Sequence, residues 1–276
     1  MQPVRKAAVA GSWYPGTSSA LAAAVDRHLA RTSRDLNGDL VALVAPHAGL
    51  MYSGPVAAHA YRLLRGRAFD VVVVVGPSHY VAFEGVAVSR ARGFETPMGV
   101  AAVAGEVADA LMQATPVVRE HDAAHAREHS LEMQLPFLQH LAKDAPIVPL
   151  VMGHQTDETA RALADGLVAV LRGRNALLVA STDLSHYHDA VTAARLDAVV
   201  VDCVKRFDAD GLQQALDRQP DHACGGGPTV AVMRAARALG ARDAVVLDYA
   251  DSGDVSGDKS KVVGYMAAAL GNFRQV

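Results

Sequence analysis

The chain has 276 residues, 51% of them apolar and 20% charged, with a formal net charge of −3. That length suits one large domain or two small ones and is ample for a sizeable core. No block of basic residues and only 5% aromatics speak against a nucleic-acid partner, and no apolar run approaches the length of a membrane span.

In chain order, residues 1–11 carry two cations but no apolar stretch of the kind a signal peptide needs. The two cysteines, Cys203 and Cys224, are too few for a disulfide framework, and a reducing cytoplasm is the expectation. Leu40–Ala45 reads as a buried strand that ends at Pro46. Ser53–Leu64 reads as a helix. Val71–Val75 is the clearest strand, closed by Gly76-Pro77, and Gly85–Ser89 is a shorter one. Glu106–Gln113 is helical, and so is Ser130–Leu141, where Pro136 in mid-segment predicts a kink.

A strand over Pro146–Met152 leads into a helix over Asp157–Leu171 capped by Thr156. Ala176–Ala180 is a strand followed by a Ser181-Thr182-Asp183 turn. Ala190–Phe207 and Asp210–Leu216 are helical. Pro228–Leu239 is a helix with proline in its first turn and Gly240 just beyond its end. Ala244–Tyr249 and Lys261–Ala268 are closing strands. The alternation predicts a single α/β domain over residues 1–276, with a largely parallel central sheet flanked by helices. No internal repeat, low-complexity tract or linker interrupts it.

Chemistry-bearing residues gather after the strands. His47 follows the first, His79 the second, and Asp183 and His186 the strand at Ala176. Open parallel sheets bind ligands beyond the carboxyl ends of their strands. Cys224, in Cys224-Gly225-Gly226-Gly227-Pro228, precedes a helix whose N-terminus favours the thiolate. Three glycines let backbone approach a ligand closely. Any one such histidine is more often a loop residue bonded to backbone, and a free cysteine is usually a small apolar filler, as Cys203 is read to be. His28, His59, His121, His125 and His140 carry no spacing signal and are read as surface or packing residues. Glu128-His129-Ser130 is either a helix start or a third histidine within reach of the site. Trp13, the only tryptophan, is a packing residue or a pocket wall. Asp251 and Asp254 are read as solvated surface.

Eight segments together resemble the Memo family: AVAGSWY ending at Tyr14, APHAG at Ala45–Gly49, AAHAY at Ala57–Tyr61, GPSH at Gly76–His79, EHSLEMQLPF at Glu128–Phe137, STDLSH at Ser181–His186, ACGGGP at Ala223–Pro228 and YADS at Tyr249–Ser252. They occur in order along nearly the whole chain. The eukaryotic member of this family is named as a mediator of ErbB2-driven motility, and prokaryotic members are called AmmeMemoRadiSam system protein B. The resemblance implies a fold similar to the class III extradiol ring-cleavage dioxygenases, whose non-haem Fe(II) is held by two histidines and a carboxylate. It implies His47, His79 and Cys224 as metal ligands, with Asp183, His186 and Trp13 lining the pocket. A cysteine in place of the carboxylate suits Fe(II) first, with Cu or Zn as alternatives, and disfavours Mg or Ca. Tyr80 stands where a second histidine is common in eukaryotic members, and Gly226-Gly227 where bulkier residues are found. Both changes bear on pocket size, which makes Tyr80 a candidate substrate contact beside Trp13.

The function expected on this basis is a non-haem metal-dependent oxidoreductase, dioxygenase-like, acting on a small molecule, with aromatic compounds among the candidates. His186 oriented by Asp183 would move protons, with His129 a second candidate. A non-catalytic metal- or ligand-binding adaptor is the alternative, and thiol chemistry at Cys224 without a metal is a third. The family resemblance also implies a radical SAM protein and an AMMECR-type protein as partners. A homodimer is compatible with the sequence.

Overall fold

Val71 to Val75 explain how the sheet organises the chain. Val71, Val73 and Val75 enter one apolar core, while Val72 and Val74 enter another on the opposite face. Successive side chains of a strand point to opposite faces, so a strand of valines needs cover on both sides. A computed structural model describes residues 3–274 and supplies that cover with helices.

The strands are β1 (Val4–Arg5), β2 (Gly38–Ala45), β3 (Val71–Pro77), β4 (Val86–Val88), β5 (Gly93–Thr96) and β6 (Gly99–Ala102). They continue as β7 (Val118–Glu120), β8 (Ile147–Met152), β9 (Ala176–Ser181), β10 (His186–His188), β11 (Asp243–Asp251) and β12 (Val262–Phe273). The helices are α1 (Ser18–Leu29), α2 (Leu50–Tyr61), α3 (Gly105–Ala114), α4 (Asp122–His125) and α5 (Leu135–Leu141). After them come α6 (Asp157–Leu171), α7 (Ala190–Lys205), α8 (Ala209–Arg218), α9 (Gly226–Ala238) and α10 (Gly253–Ser256). Residues of α1, α2 and α5 fill one core; α3, α6, α7, α8 and α9 fill the other.

The main sheet runs β10-β12-β2-β9-β3-β8-β4-β7, with β11 on β12. Its centre, β2-β9-β3-β8, is parallel throughout. Strand β12 pairs antiparallel with β2, and β4 pairs antiparallel with β8. The α/β domain with a parallel centre expected from the sequence is therefore present, and antiparallel strands extend it on both sides. A small sheet, β1-β5-β6, stands apart.

The structure differs from the sequence expectation at three places. The segment before Pro136 forms a 3-10 turn over Glu132–Gln134, and α5 starts at Leu135. Proline then sits in the first turn, where its missing N–H costs nothing, so the predicted mid-helix kink is instead a helix start. Helix α1, strands β1, β7 and β10, the β5–β6 hairpin and the one-turn helices α4 and α10 lie where the sequence pattern predicts no element. Asp251 is not solvated surface: it is 9% exposed, and its Oδ1 accepts from Gly253 N at 2.7 Å and from the Lys259 ammonium at 2.8 Å. Cys203 lies in the core, as expected.

The N-terminal segment is tied down by one buried carboxylate. Glu132, fully buried, accepts from the Arg5 guanidinium, from Ala8 N at 2.8 Å, from Val9 N at 3.1 Å and from the Tyr14 hydroxyl at 2.5 Å. Those four donors fix the chain that leads to Trp13.

Candidate metal centre

Strands β2, β9 and β3 are adjacent and parallel, so the segments after their carboxyl ends meet at one edge. His47 follows β2, His79 follows β3, and Asp183 follows β9 between them. The loop ahead of α9 brings Cys224 to the same place. A ring nitrogen from each of His47 and His79 and the Cys224 Sγ all lie within 4.8 Å of one another. His47 Nε2 is 3.3 Å from Cys224 Sγ, and the His47 and His79 ring centres are 5.3 Å apart.

Each of these side chains is held from behind. His47 is 1% exposed, and its Nδ1 meets Ser181 Oγ at 2.9 Å. The Asp183 carboxylate accepts from the backbone N of His47 at 2.7 Å and more weakly from Ala48 N at 3.3 Å. His79 Nδ1 meets Glu128 Oε1 at 2.8 Å, and His79 N donates to Glu128 Oε2 at 2.6 Å. Histidine ligands of metals characteristically hand their second ring nitrogen to such a partner. Around Cys224, Asp183 N donates to Sγ at 3.3 Å and Cys224 N donates to Asp183 O at 3.2 Å. Gln155 clamps the loop, donating to Cys224 O and accepting from Gly227 N, both at 2.7 Å.

His129 joins the cluster. Its ring stacks on His79 with centres 4.3 Å apart and lies 5.6 Å from His47. Glu128, His79 and His129 form a second group of closely spaced donor atoms sharing His79. Trp13, 36% exposed, packs its ring 4.4 Å from His129, and the Tyr80 hydroxyl lies 3.3 Å from His129 Nδ1. The Arg127 guanidinium sits over the Tyr80 ring at 5.1 Å.

His186 opens β10. The next residue, Tyr187, has φ of 63°, a left-handed conformation unusual for an aromatic side chain, and the pairing with β12 shifts register there. Among the described residues no hydrogen bond joins the Asp183 carboxylate to the His186 ring; the carboxylate's bonds go to the His47–Ala48 backbone.

Charge at the site follows burial. Burial, together with the neighbouring His79, pushes His47 well below the usual imidazole range. Burial, with His47 and His79 close by, brings His129 down to about 3. Both rings are thus neutral at neutral pH, with lone pairs available to a cation. Burial raises Asp183 to about 6 against the N–H bonds that favour its ionised form. Burial would likewise raise Glu128, but the His79 and Ser130 donors hold it at about 2.

From the sequence, the helix N-terminus is expected to favour the Cys224 thiolate. Burial and the nearby Asp183 instead push the thiol up, and the Asp183 and Thr182 hydrogen bonds only partly oppose them. Cys224 precedes Gly225, the N-cap of α9, so the dipole is outweighed by desolvation. A cation between Sγ and the two imidazoles would reverse that balance.

Residues 5–269 match the family model described as Memo-like protein. A MEMO1 family protein of Methanosarcina mazei is 39% identical over 270 residues, covering 96% of this chain and 98% of its own. Another, from Methanopyrus kandleri, is 38% identical and covers 95% and 97%. Among solved structures, an uncharacterized protein, JW3007, from Escherichia coli K12 superposes with a TM-score of 0.56 over 84% of this chain and 100% of its own. At 16% identity it bears on the fold alone.

Proposed function

The chain belongs to the Memo family, and from that premise we propose that it is a metal protein of the non-haem type, acting as an oxidoreductase on a small molecule of flat, aromatic character. The observation that carries the proposal is the convergence of His47, His79 and Cys224 within 4.8 Å, with the two imidazoles held at Nδ1 by Ser181 and Glu128. That donor set fits a borderline or soft cation: two neutral imidazoles and one thiol that ionises on binding suit Fe(II) first, then Cu or Zn. Such an ion, if redox-active, supplies electron transfer and open positions for a substrate.

The surrounding residues have distinct tasks. Trp13 and Tyr80 flank the His129 ring at partly exposed positions, which suits a flat organic molecule. His129, held neutral by burial and in contact with Tyr80, can hydrogen-bond a bound hydroxyl but is too weak a base to take its proton. His186 is the first candidate for proton handling, with Asp183 acting through its charge and not as a hydrogen-bonded partner. Metal-free nucleophilic chemistry at Cys224 is disfavoured, because burial holds the thiol protonated.

No described helix is long and apolar enough to cross a membrane. Cys203 and Cys224 are both free, which accords with a reducing cytoplasm.

The test is elemental analysis of anaerobically purified protein beside Cys224→Ser. Near-stoichiometric iron or copper that falls sharply in the variant supports the reading. No metal in either protein, with Cys224 still open to alkylation, overturns it. A panel of catechols under O2 then tests the oxidoreductase part separately.

A further inference from the structure

We propose that Ser181, set by Gln134 and the Ser130 carbonyl, fixes the tautomer of His47 so that Nδ1 carries the hydrogen and Nε2 presents its lone pair to the ligand cluster. The functional consequence rests on the metal reading above; the tautomer itself does not.

Donors and acceptors behind His47 can be counted in full, because the region is closed to water. Tyr61, Ser130, Gln134 and Ser181 are fully buried and His47 is 1% exposed. Ser181 Oγ has three neighbours: Ser130 O at 2.6 Å, Gln134 Nε2 at 2.7 Å and His47 Nδ1 at 2.9 Å. A hydroxyl offers one hydrogen and two lone pairs. A carbonyl can only accept, so the hydrogen goes to Ser130 O, and both lone pairs remain for the other two neighbours.

The amide of Gln134 is oriented from its far side. Its Nε2 also lies 3.0 Å from Pro46 O, and its Oε1 receives the Tyr61 hydroxyl at 2.7 Å. Reversing the amide would set two oxygen acceptors against each other at Pro46. Gln134 therefore donates to Ser181. The remaining lone pair of Ser181 faces His47 Nδ1, which must be the N–H end of a neutral ring. Nε2 is then the basic atom, and it is the atom 3.3 Å from Cys224 Sγ.

His79 reaches the same tautomer by a different route, since Glu128 is a carboxylate that can only accept when ionised. A carboxylate behind His47 would add another buried charge beside Asp183 and Cys224. The serine–glutamine pair instead orients the ring with neutral groups. Ser181 and Gln134 are thus positioning residues for the first histidine.

The test reads tautomers directly, by two-bond 1H–15N correlation on the metal-free, 15N-histidine-labelled full chain. His47 is expected in the Nδ1–H form; a spectrum showing Nε2–H in the unmodified protein overturns the proposal. In Ser181→Ala the Nε2–H form is expected to appear and Zn(II) affinity to fall about 10–100-fold. Ser181→Thr, which keeps the hydroxyl, is expected to retain the wild-type spectrum. Ser181→Ala that stays wholly Nδ1–H also overturns the proposal. A wild-type protein that shows the expected tautomer yet binds no Zn(II) sinks the metal reading and leaves this inference standing.

Discussion

His79 is bound twice by one residue: Glu128 takes its ring through Oε1 at 2.8 Å and its backbone N through Oε2 at 2.6 Å. The carboxylate is 1% exposed and also accepts from Ser130 N at 2.9 Å. It therefore sets both the ring and the loop that carries it. Glu128→Gln preserves shape but turns one acceptor into a donor facing other donors. Loss of such an outer partner weakens metal binding by about 10–100-fold. Competition titration with Zn(II) measures this, and unchanged affinity would remove Glu128 from the site.

Glu132 serves the other end of the pocket. It gathers Arg5, Ala8, Val9 and Tyr14, and so presents Trp13 to His129. Glu132→Gln leaves Arg5, 8% exposed, as an unpaired buried cation. The expected loss of stability is about 3–5 kcal/mol. Because Trp13 is the only tryptophan, its emission should also shift toward that of a solvated ring in the variant. A thermal melt and an emission spectrum give both numbers from one sample.

The contrast between His47 and Glu132 explains what is legible in the sequence. His47 and His79 stand in local punctuation, strand, then proline or glycine, then the side chain, and Cys224 stands directly before the glycines that open α9. That signal is short-range, and strand order converts it into proximity. Glu128, Ser181, Gln134 and Gln155 act on the site through partners 47 to 134 residues away, and nothing in their immediate neighbours announces it. Ser181 reads as an ordinary turn residue because its partners come from the segments around Ser130 and Pro46. The same limit hides β1 and the β5–β6 hairpin, whose short strands are specified by pairing and not by period. It also misplaces the acid–base partner of His186: Asp183 is near in sequence, but its carboxylate bonds to the backbone after β2.

Acid should weaken the fold through His125. This ring is 1% exposed; its Nε2 lies 3.2 Å from Ala87 O and its Nδ1 has no partner. Burial lowers its pKa from 6.5 to about 4. The unfolded chain therefore takes up a proton first as pH falls. Stability is fully present above the unfolded value and is lost across the window from 6.5 down to 4. At 1.36 kcal/mol per unit, the loss attributable to this ring is about 2–3 kcal/mol between about pH 7 and about pH 4.5. His125→Phe should cost stability at neutral pH but flatten that part of the profile. Urea midpoints at the two pH values decide it, and a variant with the wild-type slope would place the acid sensitivity elsewhere.

Two glycine-to-alanine substitutions should have opposite signs. A Cβ on Gly225 would lie 2.3 Å from Ser181 O and 2.8 Å from Thr182 Cβ. The first of these contacts is backbone, so no rotamer change relieves it. The segment after β9 or the Cys224 loop must move. Overpacking of this kind costs about 1–3 kcal/mol, and here the displaced atoms are those that place Sγ beside His47. Gly105, the first residue of α3, has open space where a Cβ would stand and no left-handed backbone. Alanine there restricts the unfolded chain and should stabilise by about 0.4–1 kcal/mol. Gly225→Ala should therefore lower both the melting temperature and Zn(II) affinity, while Gly105→Ala raises the first and leaves the second alone. If Gly225→Ala bound Zn(II) as well as the wild type while melting earlier, the close approach at Gly225 would serve packing of the α9 start and not the position of Cys224.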